Sequence, residues 1–393
     1  MIVAGEASGD GHAAKLVTEF RASERETEFE FFGAAGPKMR DAGVEPIVES
    51  DGLSIVGLAE IGCALPMFLR ASRDLKNAAN VRKPDVVVLV DFPDFNLKLA
   101  KSLKKKGFTI VYYISPQLWA WRKYRIATVK KYIDLMITIL PFEENWYAEH
   151  GVSHVEYVGS PLAREVHAVR TKLEFCRDHG LDPSQPIISL LPGSRHKEIV
   201  RILPVMLAAA AKVAIESRDT QFIVALASVD YRSDADNALI EAATGGTMPN
   251  ITIVENETYD ALNASNAAAV TSGTATLETG IIGTPMAIVY KTSKINYALL
   301  EPLISVEHYG LINLIAGERV AKELIQDAFT PETLSNELLR LLKPVENAEM
   351  RERLKIATDK LGHGGASKRA AEVILRLIEE RSAHLDQKSL QQP

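Results

Sequence analysis

The chain has 393 residues, 47% of them hydrophobic and 24% charged, and a net charge of −6. These proportions suit a globular protein of more than one domain and exclude a disordered or collagen-like chain. Cys63 and Cys176 are too few for a disulfide framework and match no zinc spacing, so both read as structural residues of a reducing compartment. The start, Met1-Ile2-Val3-Ala4-Gly5, has neither the basic nor the apolar region of a secretory leader. No stretch approaches the roughly 20 apolar residues of a membrane span.

In chain order, short apolar runs alternate with helix-like segments, the pattern of a parallel α/β sheet. Strands are predicted at 2–4, 29–33, 86–90, 110–114, 135–138 and 155–158. The rhythm restarts after residue 186, with strands predicted at 187–191, 222–226, 251–254, 267–271 and 286–289. Two Rossmann-like, doubly wound domains facing a cleft are therefore expected. The boundary falls in the turn-rich stretch 159–186, giving one domain over 1–165 and a second over 166–345. Helices over 346–383, broken at Gly362–Gly365, are expected to pack back on the first domain, and 384–393 reads as a loose tail.

The first strand runs into Gly5-Glu6-Ala7-Ser8-Gly9-Asp10-Gly11-His12. Its glycines let backbone approach a ligand, Ser8 or Asp10 suits a helix cap, and Glu6 suits sugar hydroxyls better than phosphate. Apolar positions over 53–69, among them Leu65, Met67, Phe68 and Leu69, suit either a core helix or an element whose apolar face dips into lipid. The same segment opens a basic tract. Residues 53–131 carry ten Lys and five Arg against five acids, a local +10 that leaves −16 for the remainder. Such a tract beside an apolar face fits an anionic membrane surface.

The strand ending at Val90 delivers Asp91-Phe92-Pro93-Asp94-Phe95-Asn96. Asp91 falls where open α/β sheets bind ligands, and flanking Phe rings would desolvate it toward the range of a general base. Asp94 and Asn96 read as caps of the next helix, with Asn96 also a substrate-binding candidate. The loop Ser115–Arg122 brings Trp119 and Trp121 beside Arg122, faces for a sugar ring and a cation for phosphate.

In the second half, Pro192-Gly193-Ser194-Arg195 leaves one strand and Ser272-Gly273-Thr274-Ala275-Thr276-Leu277-Glu278 leaves another. Together they read as a nucleoside-diphosphate site: N–H groups and a guanidinium for the phosphates, and Glu278 for both ribose hydroxyls. No dinucleotide, P-loop, zincin or nucleophile-elbow fingerprint occurs.

Seven motifs in order resemble the lipid-A-disaccharide synthase family: GEASGD from Gly5, DFPDFN from Asp91, SPQLWAW from Ser115, LPFE from Leu140, PGSR from Pro192, SGTATLE from Ser272 and NLIAG from Asn313. The resemblance, covering residues 2 to about 375, implies a GT-B fold and an inverting transfer that needs no metal or other cofactor. UDP-2,3-diacylglucosamine would give its sugar to the 6-hydroxyl of 2,3-diacylglucosamine 1-phosphate (lipid X), on the cytoplasmic face of a bacterial inner membrane. No nucleic-acid partner is implied. By matching motif, Asp91 would be the general base. Arg195 with the turn from Ser272 to Ala275 would stabilise departing UDP, and Glu278 would hold ribose. Glu6 and Asn313 would line the cleft. Ser160 stands where the family often has His or Asn. Other UDP-sugar transferases, a UDP-sugar 2-epimerase and a non-catalytic nucleotide-sugar binder are the competing readings.

Overall fold

A computed structural model describes residues 1–23, 28–52, 61–244, 249–293, 297, 306–362 and 364–390. Two compact units divide the chain, one of Met1–Pro161 with Gly364–Pro393, the other of Leu162–His363.

Unit 1 is built on seven parallel strands: β1 (Ile2–Ala4), β2 (Phe32–Ala35), β3 (Glu45–Glu49), β4 (Val87–Val90), β5 (Ile110–Tyr113), β6 (Leu135–Thr138) and β7 (Val155–Tyr157). Their spatial order is β3-β2-β1-β4-β5-β6-β7, all parallel, with Ile2 opposite Gly33 on one side and Val88 on the other. The central strands are apolar throughout because helices cover both faces. One face packs on α3 (Ile61–Arg82) and α4 (Pro93–Lys104), burying Leu75, Leu99 and Tyr112. The other packs on α1 (Ala7–Ala22) and the helix Ala366–Leu390, burying Leu16, Tyr113 and Ile374. That last helix continues to Leu390, through residues read from sequence as tail; Leu385–Leu390 holds good helix formers and no breaker. It is tied to the sheet by Arg369 Nε donating to Val158 O at 2.7 Å and Arg376 Nη2 to Glu156 at 2.5 Å.

Unit 2 repeats the winding with six strands: β8 (Ile187–Leu191), β9 (Gln221–Leu226), β10 (Ile251–Glu255), β11 (Ala267–Thr271), β12 (Met286–Tyr290) and β13 (Lys322–Ile325). Their order is β10-β9-β8-β11-β12-β13, again all parallel. In each sheet the chain reverses its direction of winding beside the first strand: between β1 and β4 in unit 1, and between β8 and β11 in unit 2. Helices after those strands start on opposite faces and leave a crevice at the strands' carboxyl ends, the usual ligand position in open α/β sheets.

The membrane-reading segment is only partly visible, since 53–60 and the side chains of 61–64 lie outside the described residues. Along α3, Leu65, Met67 and Leu69 are 55%, 37% and 63% exposed. Phe68 is a correction to the expected lipid-facing set. Its ring turns inward, 6.1 Å from Phe92 and 6.2 Å from Phe95, and so buttresses the turn after β4.

Candidate active site

The unit 1 switch point is lined by the turns after β1 and β4. Gly5 and Glu6 follow β1; Glu6 is the exposed first boundary residue of α1 with its side chain free of any capping bond, and Ser8 is exposed on the same turn. Asp10 does not cap α1. It is buried and accepts from Gly36 N at 2.9 Å, Lys38 N at 2.9 Å and Met39 N at 3.2 Å, closing the turn after β2.

Across the crevice, Asp91 and Phe92 both hold left-handed backbone, φ 47° and 51°, which non-glycine residues rarely adopt. Pro93, first in α4, fixes where helix can begin, so the chain must reverse sharply just before it. Asn96 holds this turn. Its Nδ2 donates to Val90 O at 3.2 Å and Asp91 O at 2.8 Å, and Tyr112 Oη donates to Asp91 O at 2.6 Å. Asn96 is fully buried, so it positions Asp91 and neither caps α4 nor reaches a ligand. Burial pushes the Asp91 carboxyl up to about 6, the Glu6 charge adds to this, and the Phe92 N–H opposes it.

Gly5 is required by close approach: a Cβ there would stand 2.2 Å from the Phe92 ring. Gly5→Ala is expected to cost about 1–3 kcal/mol of stability by overpacking and to displace the Asp91 turn with it. A melting temperature and kcat both unchanged would contradict this.

The loop after β5 divides its two tryptophans. Trp119 is 5% exposed, its Nε1 donating to Glu143 Oε1 at 3.1 Å and its ring edge-on to Phe142 at 5.1 Å. Core packing therefore removes it from the substrate-binding set. Trp121, 39% exposed, is the face left open, with the Arg122 guanidinium 4.1 Å from its ring centroid. Glu143, the last residue of the LPFE motif, is the buried partner of Trp119, a role the motif alone did not disclose; burial pushes its carboxyl up to about 7 against hydrogen bonds from Trp119 and Leu140 N.

In unit 2, a cavity of about 620 Å³ opens at the β8/β11 switch point. Gly193, Ser194 and Arg195 form one wall, and Ser272, Gly273, Thr274, Ala275 and Glu278 another. Arg195 starts the helix α9 (His196–Glu216), and Gly273 stands at the start of α12 (Thr274–Ile282), so two helix N-termini open on one space. Gly193 needs φ 116°, and a Cβ there would lie 2.6 Å from Glu198 Oε2. Glu198, unnoticed in the sequence, accepts from Ser194 N at 3.2 Å and Arg195 Nη1 at 2.9 Å; Arg195 is 79% exposed. Glu278 is raised by burial, with the Tyr259 hydroxyl hydrogen-bonded to it. The far end, Ala225, Ala227 and Asn256–Tyr259, comes from the ends of β9 and β10, which carry no motif.

Asn313 is a further correction. It is fully buried: Nδ2 donates to Ala321 O at 2.8 Å and Glu323 Oε1 at 2.9 Å, and Oδ1 accepts from Val320 N at 3.0 Å and Ala321 N at 2.9 Å. Its amide folds the turn before β13. Among the described residues, no three His, Cys, Asp or Glu gather as metal ligands, and no helix is long and apolar enough to cross a membrane.

Solved structures of similar fold include the UDP-GlcNAc 2-epimerase from Neisseria meningitidis bound to UDP-GlcNAc, at TM-score 0.60 and 12% identity over 95% of this chain and 98% of that one. The calicheamicin glycosyltransferase CalG4 matches at TM-score 0.56 and 16% identity, over 95% and 96%. Both support the two-unit glycosyltransferase fold called GT-B. The lipid-A-disaccharide synthase of Syntrophus aciditrophicus (strain SB) is 42% identical over 381 residues, 97% of this chain and 98% of that one. Residues 1–378 match the family described as lipid-A-disaccharide synthetase. On that match, the chain belongs to the lipid-A-disaccharide synthetase family and is a hexosyltransferase of lipid A disaccharide formation.

Proposed function

We propose that the chain moves the sugar of UDP-2,3-diacylglucosamine onto the 6-hydroxyl of 2,3-diacylglucosamine 1-phosphate, inverting the anomeric centre. The acceptor oxygen attacks the anomeric carbon, its proton passes to Asp91, and the bond to UDP breaks. The observation that carries this is the half-buried Asp91 carboxyl with its pKa near 6. It is ionised at neutral pH yet basic enough to share a proton in the transition state. Charge growing on the diphosphate is met by Arg195 and by N–H groups of the turn Ser272–Ala275, aimed at the leaving group before reaction begins. Glu278 takes the ribose hydroxyls, and Glu6, Ser8 and Arg122 surround the acceptor. UDP release that needs both diacylated substrates, and is absent with either alone, is the expected result. No release from the pair would refute the assignment.

The acyl chains require a lipid surface. Leu65, Met67 and Leu69 supply an exposed apolar edge beside the basic tract, suited to the anionic cytoplasmic face of an inner membrane. Leu65→Ser with Leu69→Ser removes two apolar contacts of roughly 1.5–3 kcal/mol each and should shift the protein from phosphatidylglycerol vesicles into solution. Phe68 stays intact in this test because it packs inward. Unchanged sedimentation at both low and high salt would refute the contact.

A further inference from the structure

The loop after β5 holds a charge cluster of which the mechanism so far uses only Arg122, as a neighbour of the acceptor, and leaves Arg125 and Asp94 without a task. Arg122 Nη1 donates to Asp94 Oδ1 at 2.8 Å, and Arg125 Nη2 donates to the same oxygen. Two guanidinium groups, with five donors each, thus converge on a single carboxylate oxygen. Arg122 holds left-handed backbone, φ 56°, and lies over the Trp121 ring. Asp94 is 63% exposed, and between it and Asp134 the sequence has no acid. Arg125 is 15% exposed and Arg122 34%; the more open Arg122–Asp94 pair adds little to stability, so folding alone does not explain the strained backbone of Arg122. The cluster stands on the first turn of α4, the helix that begins just after Asp91 and Phe92.

Unit 2 has a parallel arrangement. There Glu198 holds Arg195 at the turn assigned above to the donor's diphosphate. In both places an internal carboxylate keeps a guanidinium aimed before an external anion arrives. Paired guanidinium forks match the oxygens of a phosphomonoester better than any single cation does.

We propose that Arg122 and Arg125 seat the phosphomonoester of the acceptor sugar, with Asp94 as the resident anion that the phosphate displaces. This rests on the acceptor assignment above. The seat orients the acceptor so that its reacting hydroxyl, and not its phosphate, faces Asp91. It also gives the enzyme a reason to discriminate against an unphosphorylated acceptor.

Calorimetric titration with glucosamine 1-phosphate, glucosamine and inorganic phosphate tests the seat without acyl chains or catalysis. Wild type should bind glucosamine 1-phosphate at least about 10-fold more tightly than glucosamine or inorganic phosphate. Arg125→Gln should erase that preference. Asp94→Asn should bind glucosamine 1-phosphate about 3- to 10-fold more tightly, because the competing carboxylate is gone. A purely structural triad predicts the opposite sign, so weaker binding in Asp94→Asn overturns the proposal even if Arg125→Gln unfolds. Equal affinity for inorganic phosphate, or displacement of glucosamine 1-phosphate by phosphatidylglycerol vesicles, overturns it in favour of a general anion surface. The transfer assay is a separate readout. Specific glucosamine 1-phosphate binding without transfer would remove the diacylated acceptor and keep the seat; transfer with weakened Asp94→Asn binding would remove the seat alone.

Discussion

Asp91→Ala should lower kcat/KM by about 10²–10⁴, the usual contribution of a positioned general base. The same assignment fixes the pH dependence. With the Asp91 pKa near 6, wild-type kcat/KM should fall tenfold per pH unit below that value and level off above it. Asp91→Asn should lose the activity and this limb of the profile while gaining stability at pH 8. The sign follows from the raised pKa. The folded state binds the Asp91 proton more tightly than the unfolded chain does, so wild type loses stability as pH rises from about 4 to 6. The asparagine variant lacks that loss, and the two proteins should converge in stability below pH about 4, where the carboxyl is protonated in both states. Melting curves at pH 4 and pH 8 read this directly. Equal stability differences at both values would mean that burial does not raise Asp91.

Arg195→Ala should cost about 10²–10³ in kcat, the scale of removing one preorganised donor from a developing negative charge. UDP affinity should weaken with it, whereas the fold should not, because the side chain is 79% exposed and its intramolecular partner is Glu198 three residues on. Arg195→Lys should recover part of the rate, since charge returns without the planar fork. An Arg195→Ala variant with wild-type kcat and a weaker UDP Kd would move Arg195 from transition-state stabilisation to ground-state binding.

Six of the seven motifs were legible because each follows an apolar strand, and buried parallel strands leave short apolar runs in the sequence; NLIAG lies instead in the helix Leu311–Ala316. Strand order was not legible, yet it is strand order that brings Gly5 to Asp91 and Arg195 to Ser272. Two of the four edge strands, β3 and β13, escaped notice for a related reason. In β3, Glu45-Pro46-Ile47-Val48-Glu49 is half exposed, and Pro46 is tolerated only because an edge needs no full ladder. In β13, Lys322-Glu323-Leu324-Ile325 carries charge on the open side.

Side-chain direction was the other loss. Spacing alone made Asp94 and Asn96 fit a helix cap, but the left-handed pair Asp91–Phe92 places the boundary at Phe92 and turns Asn96 back onto the Asp91 carbonyl. Trp119 and Trp121, two residues apart, differ only in which has a buried partner, and Glu143 lies too far along the chain for a local pattern to reveal it. Asn313 sits in a family motif, yet its amide is spent on four buried contacts, which shows that a matching residue can serve the fold behind a site.

The anomeric configuration of the disaccharide tests the central claim most directly. A single displacement with Asp91 as base predicts a β-linked product from an α-linked UDP donor, with one UDP formed per disaccharide. The proton–proton coupling at the new anomeric carbon should therefore be the large one of a β linkage. An α-linked product, or a covalent sugar–protein intermediate, would contradict the mechanism.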